Sequence, residues 1–400
     1  VLPYLLSNKP ISLSNSLTSN FMAFDTNLLA TKLKRCRNNL ELTLNEVSAS
    51  SGISISKLQD IETGKVEPYG DEILILADIY QEDFKYFISN DKLSASEQVE
   101  ELYRVNGKTF SKADKHAIQT FINLCDNEQF VWDCLGIQIN PFRTPHIDQH
   151  YIKKSDGIRV ADMLRLHMGY TDLKAYQNLY QELRKIGIHI FRMELNNSGI
   201  SGLFIRHPRA GKCILINADE NIYRQNFTLA HEIGHALMDG IDFNVSLSTE
   251  DESSPFREYR ADAFASNFLL PRNIIRKIPK SSINADFIKV QADRFRVNVI
   301  AFLIALKEAR IISDYEFDKY KQIKIPKAEQ RDYEFEDLTE RITLSYQTAI
   351  KRGLTPTYIK YSHKAYYDGH ISVERLAEML LTDIYDLPNL LDQFKFKLKL

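Results

Sequence analysis

Between Thr26 and about Asn90, apolar residues recur at helical spacing: Leu28, Leu29, Leu33, Cys36 and Leu40 on a first helix, then Leu44, Val47 and Ala49 on a second. Thr43 reads as the cap of the second helix and Gly52 as its left-handed stop, while Ser54 opens a third, "SISKLQDIE". A fourth helix, "DEILILADIY", follows Pro68 and Gly70, and "FKYFI" closes the unit. From 91 to 185 the pattern stays polar and helical, punctuated by Pro141 and Pro145. It then changes to three short runs rich in β-branched and apolar residues, "IHIFRME", "ISGLFIRH" and "KCILINAD". The separating "LNNSG" and "PRAG" have the turn chemistry of hairpins, which predicts a small, mostly antiparallel sheet. Helical pattern returns at "NFTLAHEIGHALMDG" and "SSPFREYRADAFASNFLLPR", and again from about Arg331. The closing "FKFKLKL" alternates apolar and basic residues, as an exposed edge strand or a basic tail would.

Composition narrows the class. A chain of 400 residues, 44% hydrophobic and 26% charged, has room for two or three domains with separate cores and is not of the disordered type. Its net charge of -2 means that affinity for nucleic acid must come from a local patch. Cys36, Cys125, Cys134 and Cys213 are scattered, with no C-x-x-C pair, as suits a reducing cytoplasm. No apolar run approaches the roughly 20 residues of a spanning helix, and the start lacks a basic, cleavable signal pattern. A cytoplasmic protein without membrane contact is expected. The first methionine is Met22, so the opening residues read as a poorly ordered leader.

The chemistry concentrates at His231, Glu232 and His235. Residues i and i+4 share one helix face, so both imidazoles can reach a single ion, with zinc–nitrogen distances of about 2.0 to 2.1 Å. Glu232 points to the side of that pair, where it can accept a proton from a water activated by the ion. A catalytic zinc needs a third protein ligand. Met238 and Ile241 stand where H-E-x-x-H-x-x-G-x-x-H requires Gly and His, which excludes that class. Glu258 is the better candidate, with Asp262 one turn later suited to hold the far nitrogen of a ligand histidine; Ala261 and Ala265 would allow close helix approach. Asp239, Asp242, Glu250, Asp251 and Glu252 stay open as third ligands in a loop, and Gly240 reads as the helix stop. His116, His146, His150 and His167 have no ligand spacing, and His363 and His370, seven apart, read as a loop-facing pair.

"RQNFTLAHEIGHAL" followed by "EYRADAFASNFLLP" resembles the ImmA/IrrE family of metallopeptidases from about residue 165 to 310. The resemblance implies a zincin-like, Zn2+-dependent regulatory protease that cuts a partner repressor, often itself a helix-turn-helix protein. It implies His231, His235 and Glu258 as zinc ligands and Glu232 as general base. The group that stabilises the oxyanion stays unassigned among Tyr223, Arg224, Tyr259 and His207. "LTLNEVSASSGISISKLQDIETGKVEP" is similar to the helix-turn-helix of XRE-family repressors. Carried over, that likeness turns Ile55, Ser56, Lys57 and Gln59 toward DNA bases and sets Thr63 and Lys65 near phosphate; it also implies a homodimer. The third helix offers one Lys and no Arg, and the basic residues sit mostly on the first helix, "KLKRCR".

The fold class expected is α+β: a leader over 1–25, an all-α helix-turn-helix domain over 26–90 and a helical linker region over 91–155. A zincin-like domain over 156–325 and a helical C-terminal domain over 326–400 complete it, "GHISVERLAEML" reading as a further short helix-turn-helix. Two functions fit. One is a zinc endopeptidase acting on a regulatory protein; the other is a transcription regulator, toxin–antitoxin or phage-defence component using the peptidase fold as a sensor or scaffold.

Overall fold

The computed structural model describes residues 25–80, 82, 84–89, 111–148, 152–170, 178–195, 199–239, 245–248, 255–326, 329–330, 332–335 and 340–399. The leader up to residue 24, the 91–110 part of the expected linker, Gly240 and the loop candidates Asp242, Glu250, Asp251 and Glu252 lie outside them.

Five helices make the first unit: α1 (Thr26–Asn39), α2 (Leu44–Ser51), α3 (Ile55–Glu62), α4 (Gly70–Tyr80) and α5 (Phe84–Ile88). Thr43 and Glu46 form a reciprocal capping box at α2, Gly52 ends that helix in the left-handed region, and the Ser54 hydroxyl accepts from the Lys57 amide to open α3. Leu29, Leu33, Val47, Leu58, Ile61 and Leu76 meet in a core of their own. Arg37 clamps the end of α3 through two bonds to Glu62, at 2.6 and 2.9 Å.

The rest of the chain builds three layers. After α6 (Lys112–Leu135), α7 (Lys154–His167) and α8 (Leu179–Arg184) come β1 (Ile188–Met193), β2 (Gly202–His207) and β3 (Gly211–Asn217), then α9 (Ile222–Met238) and β4 (Val245–Ser248). Next are α10 (Pro255–Leu269), α11 (Arg272–Ile275), α12 (Ala285–Arg294), α13 (Val299–Glu308) and α14 (Asp314–Tyr320). The chain ends with α15 (Glu340–Lys351), α16 (Pro356–Tyr367), α17 (Val373–Met379) and α18 (Leu387–Gln393).

The sheet order is β1-β3-β2-β4. Two of its pairings are antiparallel, and "PRAG" turns the β2–β3 hairpin as expected. No hairpin joins the strands on either side of "LNNSG", whose residues 196–198 lie outside those described: β1 runs parallel to β3, Ile188 opposite Lys212 and Met193 opposite Asn217, and β2 lies on the far side of β3. The Asn217 side chain bonds on both sides of residues 196–198, donating to the Ile200 carbonyl at 3.0 Å and accepting from the Leu195 amide.

Alternation along the strands sorts side chains between two cores. Ile188, Ile190, Phe204, Ile214 and Ile216 face α7, α9, α10, α12 and α13. Phe191, Leu203, Ile205, Cys213 and Leu215 face α6 and the C-terminal helices α16 to α18. Burial of both faces explains why the strands read as nearly unbroken apolar runs. This second core brings residues 112–135 and residues 349–394 together on one face of the sheet. Of the final "FKFKLKL", the described residues 394–399 form no strand: Phe394 is buried, and Phe396 and Leu398 pack on the same core while the lysines between them stay in solvent.

Candidate metal centre

Helix α9 starts at Asn221, whose side chain accepts from the Tyr223 and Arg224 amides, and runs under the sheet. Ala230, Ile233, Ala236 and Leu237 are all buried, which fixes its rotation. His231 and His235 then project together toward α10, and Glu232 turns to the side and is fully buried. The helix ends at Met238 with Asp239 as an extended cap; Arg206 from β2 and Arg260 from α10 donate to its last carbonyls.

Small residues set the approach of the neighbouring elements. A methyl group on Gly234 would stand 3.2 Å from the Ala261 Cα, so the second variable position of H-E-I-G-H lets α9 and α10 touch. A methyl on Gly157 would stand 2.2 Å from the Arg260 carbonyl oxygen, so α7 crosses α10 with no side chain between. On the other side, a methyl on Gly202 would meet Thr228 at 2.5 Å and the Glu232 Oε1 at 3.3 Å. Strand β2 therefore lies directly against the glutamate between the two histidines.

Among the described residues, His231, His235 and Glu258 are the one group of three whose ligand atoms converge, all within 4.8 Å of one another. The separations are 3.0 Å between the two Nε2 atoms, 3.0 Å from His231 Nε2 to Glu258 Oε2, and 3.4 Å from His235 Nε2 to Glu258 Oε1. Ligands at about 2.0 to 2.1 Å in a tetrahedron stand roughly 3.3 Å apart, so the spacing fits zinc. Each far nitrogen has a carboxylate: His231 Nδ1 meets Asp262 Oδ1 at 2.9 Å, and His235 Nδ1 meets Asp239 Oδ2 at 2.7 Å. With both Nδ1 atoms donating, both Nε2 lone pairs point at each other and at a third acceptor. Three converging acceptors repel unless a cation or protons lie between them.

The electrostatics agree. Burial works to lower the two histidines, but hydrogen bonds donated to Asp262 and Glu258 hold His231 up at about 9, and those donated to Asp239 and Glu258 hold His235 up at about 10. Burial raises the Glu258 carboxyl, yet the two imidazoles outweigh it and hold it far below the usual carboxylate range. The pocket is built to keep positive charge at its centre.

Asp239, open as a third ligand from the sequence, instead bridges: its second oxygen takes Arg260 Nη2 at 2.5 Å, and Arg260 is fully buried. Its place four residues after His235, in "HALMD", was the available signal. Nothing in the sequence pattern marks Arg260 or Gly202. Of the oxyanion candidates, Tyr223 donates to Asp293 at 2.7 Å and His207 accepts from the backbone of Arg209 and Ala210. Tyr259 is largely exposed, and Arg224 donates to Ser201 at 3.2 Å. His167 meets the Asn140 carbonyl, and His363 meets the Lys397 carbonyl and stacks on Phe396; neither joins a metal-ligand group.

In the first unit, Ile55, Ser56, Gln59, Thr63 and Lys65 are exposed. Lys57 is engaged within its own domain, 2.5 Å from Glu72 and over the Tyr69 ring at 4.4 Å. On α1, Lys32 is buried against the Tyr86 and Ser89 carbonyls and Arg35 reaches the Tyr86 hydroxyl. With Arg37 held by Glu62, Lys34 alone of the "KLKRCR" cations is exposed.

Residues 183–307 match the family model described as an IrrE N-terminal-like domain, a peptidase family, and residues 28–83 match one described as a helix-turn-helix domain. The chain thus joins a helix-turn-helix domain of the DNA-binding type to an IrrE-like domain. No curated protein matches it. Among the described residues no helix is long and apolar enough to cross a membrane.

Proposed function

We propose that the chain is a zinc-dependent endopeptidase that cuts a partner regulatory protein. A helix-turn-helix repressor is the substrate class that the family resemblance implies, and the N-terminal domain would carry the enzyme to DNA or to that partner. The observation that carries the reading is the buried convergence of His231 Nε2, His235 Nε2 and Glu258, with Asp262 and Asp239 fixing the two rings from behind.

When bound, zinc supplies a Lewis acid and brings the pKa of a coordinated water toward about 7. His231, His235 and Glu258 hold it. Glu232, buried beside Gly202, takes the proton from the attacking water and passes it to the departing amine. Asp262 and Asp239 keep the Nε2 lone pairs turned inward throughout. The four free thiols suit a reducing cytoplasm as the site of action.

The test is a zinc assay paired with one substitution. The wild type should carry about one zinc per chain and lose cleavage of a co-encoded repressor on chelation. Glu232→Gln should keep the metal and lose cleavage. A Glu232→Gln protein that cuts like the wild type would sink the reading.

A further inference from the structure

Behind the metal ligands, on the far side of Asp262, lies a cavity of about 560 Å³. Asp262 belongs to both places, holding His231 while lining the cavity. Helix α9 contributes Phe227 and Arg224, about one and two turns ahead of His231. The opposite wall is α13, where Ile300 and Ile304 form an apolar pair at helical spacing, 49% and 46% exposed. A second cavity of about 490 Å³ shares Asn267, Arg272 and Arg276 with the first and leads on past Leu166, itself 79% exposed. Together they form a groove that starts at Asp262, directly behind His231, and runs beside α10.

Its charge is one-sided. Lys154, Arg224, Arg272 and Arg276 line the first cavity, while the carboxylates there are already committed, Asp262 to His231 and Glu308 to Arg272 at 3.6 Å. Lys154 and Arg276 make no ion pair among the described residues. An apolar floor with spare cations at its rim complements an apolar side chain followed by carboxylates.

We propose that this groove docks the stretch of substrate beside the cleaved bond, taking a bulky apolar residue next to the cut and acidic residues further along. The proposal rests on the peptidase reading above. Helix α10 rises about 1.5 Å per residue, so Asn267 lies roughly 13 Å along from Glu258, and an extended peptide covers about 3.3 Å per residue. The acidic residues are therefore expected about four positions from the bond.

The experiment uses the full, zinc-loaded chain and fluorogenic peptides that carry one Phe beside a candidate bond and an Asp pair stepped outward along one side. Cleavage efficiency should peak with the pair near the fourth position. Arg276→Glu with Lys154→Glu should lower that peak by about tenfold and leave an uncharged Phe peptide within about twofold. Ala301→Trp, which fills the cavity, should reduce cleavage of both while zinc content and circular dichroism hold. No dependence on the Asp position, or no effect of the charge reversals, overturns the proposal. If the wild type binds zinc but cuts nothing, the peptidase reading fails separately. Binding of the labelled Asp peptide to Glu232→Gln, lost on Arg276→Glu, would then still support the groove. Dodecanoate binding that Ala301→Trp abolishes and the Asp peptide fails to displace would assign the cavity to a small carboxylate and overturn it.

Discussion

Asp239 stands 2.7 Å from the Nδ1 of His235, one helical turn behind it, and its other oxygen is bonded to the buried guanidinium of Arg260. One carboxylate therefore orients the His235 imidazole on α9 and ties down α10, the helix that carries Glu258. Its own charge is favoured: burial would raise it, but His235 and Arg260 hold it below the usual aspartate value.

Asp239→Asn should keep the shape but weaken the hold on the imidazole, lowering zinc affinity by about 10- to 100-fold in a competition titration with a chromophoric chelator. Asp239→Ala should also cost about 3–5 kcal/mol of stability in urea, because Arg260 is left buried without a counter-charge. Unchanged zinc affinity in both variants would remove Asp239 from the site.

Gly202, the first residue of β2, lets the strand lie directly against Thr228 and Glu232. Gly202→Ala is expected to cost about 1–3 kcal/mol through overpacking. Cleavage should fall more steeply, on the order of 100-fold, since the added methyl displaces Glu232, against which it stands, more than Glu258 on α10. The comparison is of Tm, zinc content and rate in one preparation, and a rate that falls only as far as the folded fraction falls would contradict it.

His231 and His235 are held at about 9 and about 10, above the ordinary value of about 6.5, by the carboxylates that accept from their rings. That pair stabilises the ion-free fold fully below about pH 6.5, and the contribution is lost as pH climbs through those raised values. A divalent ion needs the same nitrogens bare, so apparent zinc affinity should rise with pH from 6 to 9, with protons released on binding. Isothermal titration in buffers of different ionisation enthalpy measures the release, and a flat profile would count against these ligands.

Lys57 faces Glu72 rather than standing free. If α3 reads DNA, Glu72→Gln should release the lysine and tighten operator binding a few-fold, raising the salt slope by about one. Lys57→Ala should weaken binding and lower the slope by about the same amount. Fluorescence anisotropy across a salt series gives both, and opposite or null shifts would take Lys57 out of the interface.

Local chemistry made much of this legible in the sequence. Thr43, Gly52 and Ser54 punctuate α2 and α3 through bonds within a few residues, and the i, i+4 rule places His231 with His235 and Glu258 with Asp262 on single helix faces. The parallel pairing of β1 with β3 was not legible, because an Asn-Ser-Gly run suits a crossover as well as a hairpin. Nor was the fate of "FKFKLKL", whose alternation serves any surface that takes every second side chain.

Sequence by itself marked the helices of the first unit and the two that carry His231, His235 and Glu258, their apolar faces and the residue types that can bind a divalent ion, since these follow from neighbours one turn or one strand step apart. Tertiary structure alone decided that Glu258 meets both imidazoles, that Asp239 serves Arg260 as well as His235, and that Gly157, Gly202 and Gly234 are the points of closest approach. Those relations join helices and strands up to about a hundred residues apart, and which surfaces meet is set by the summed packing of both cores rather than by any local run of the chain.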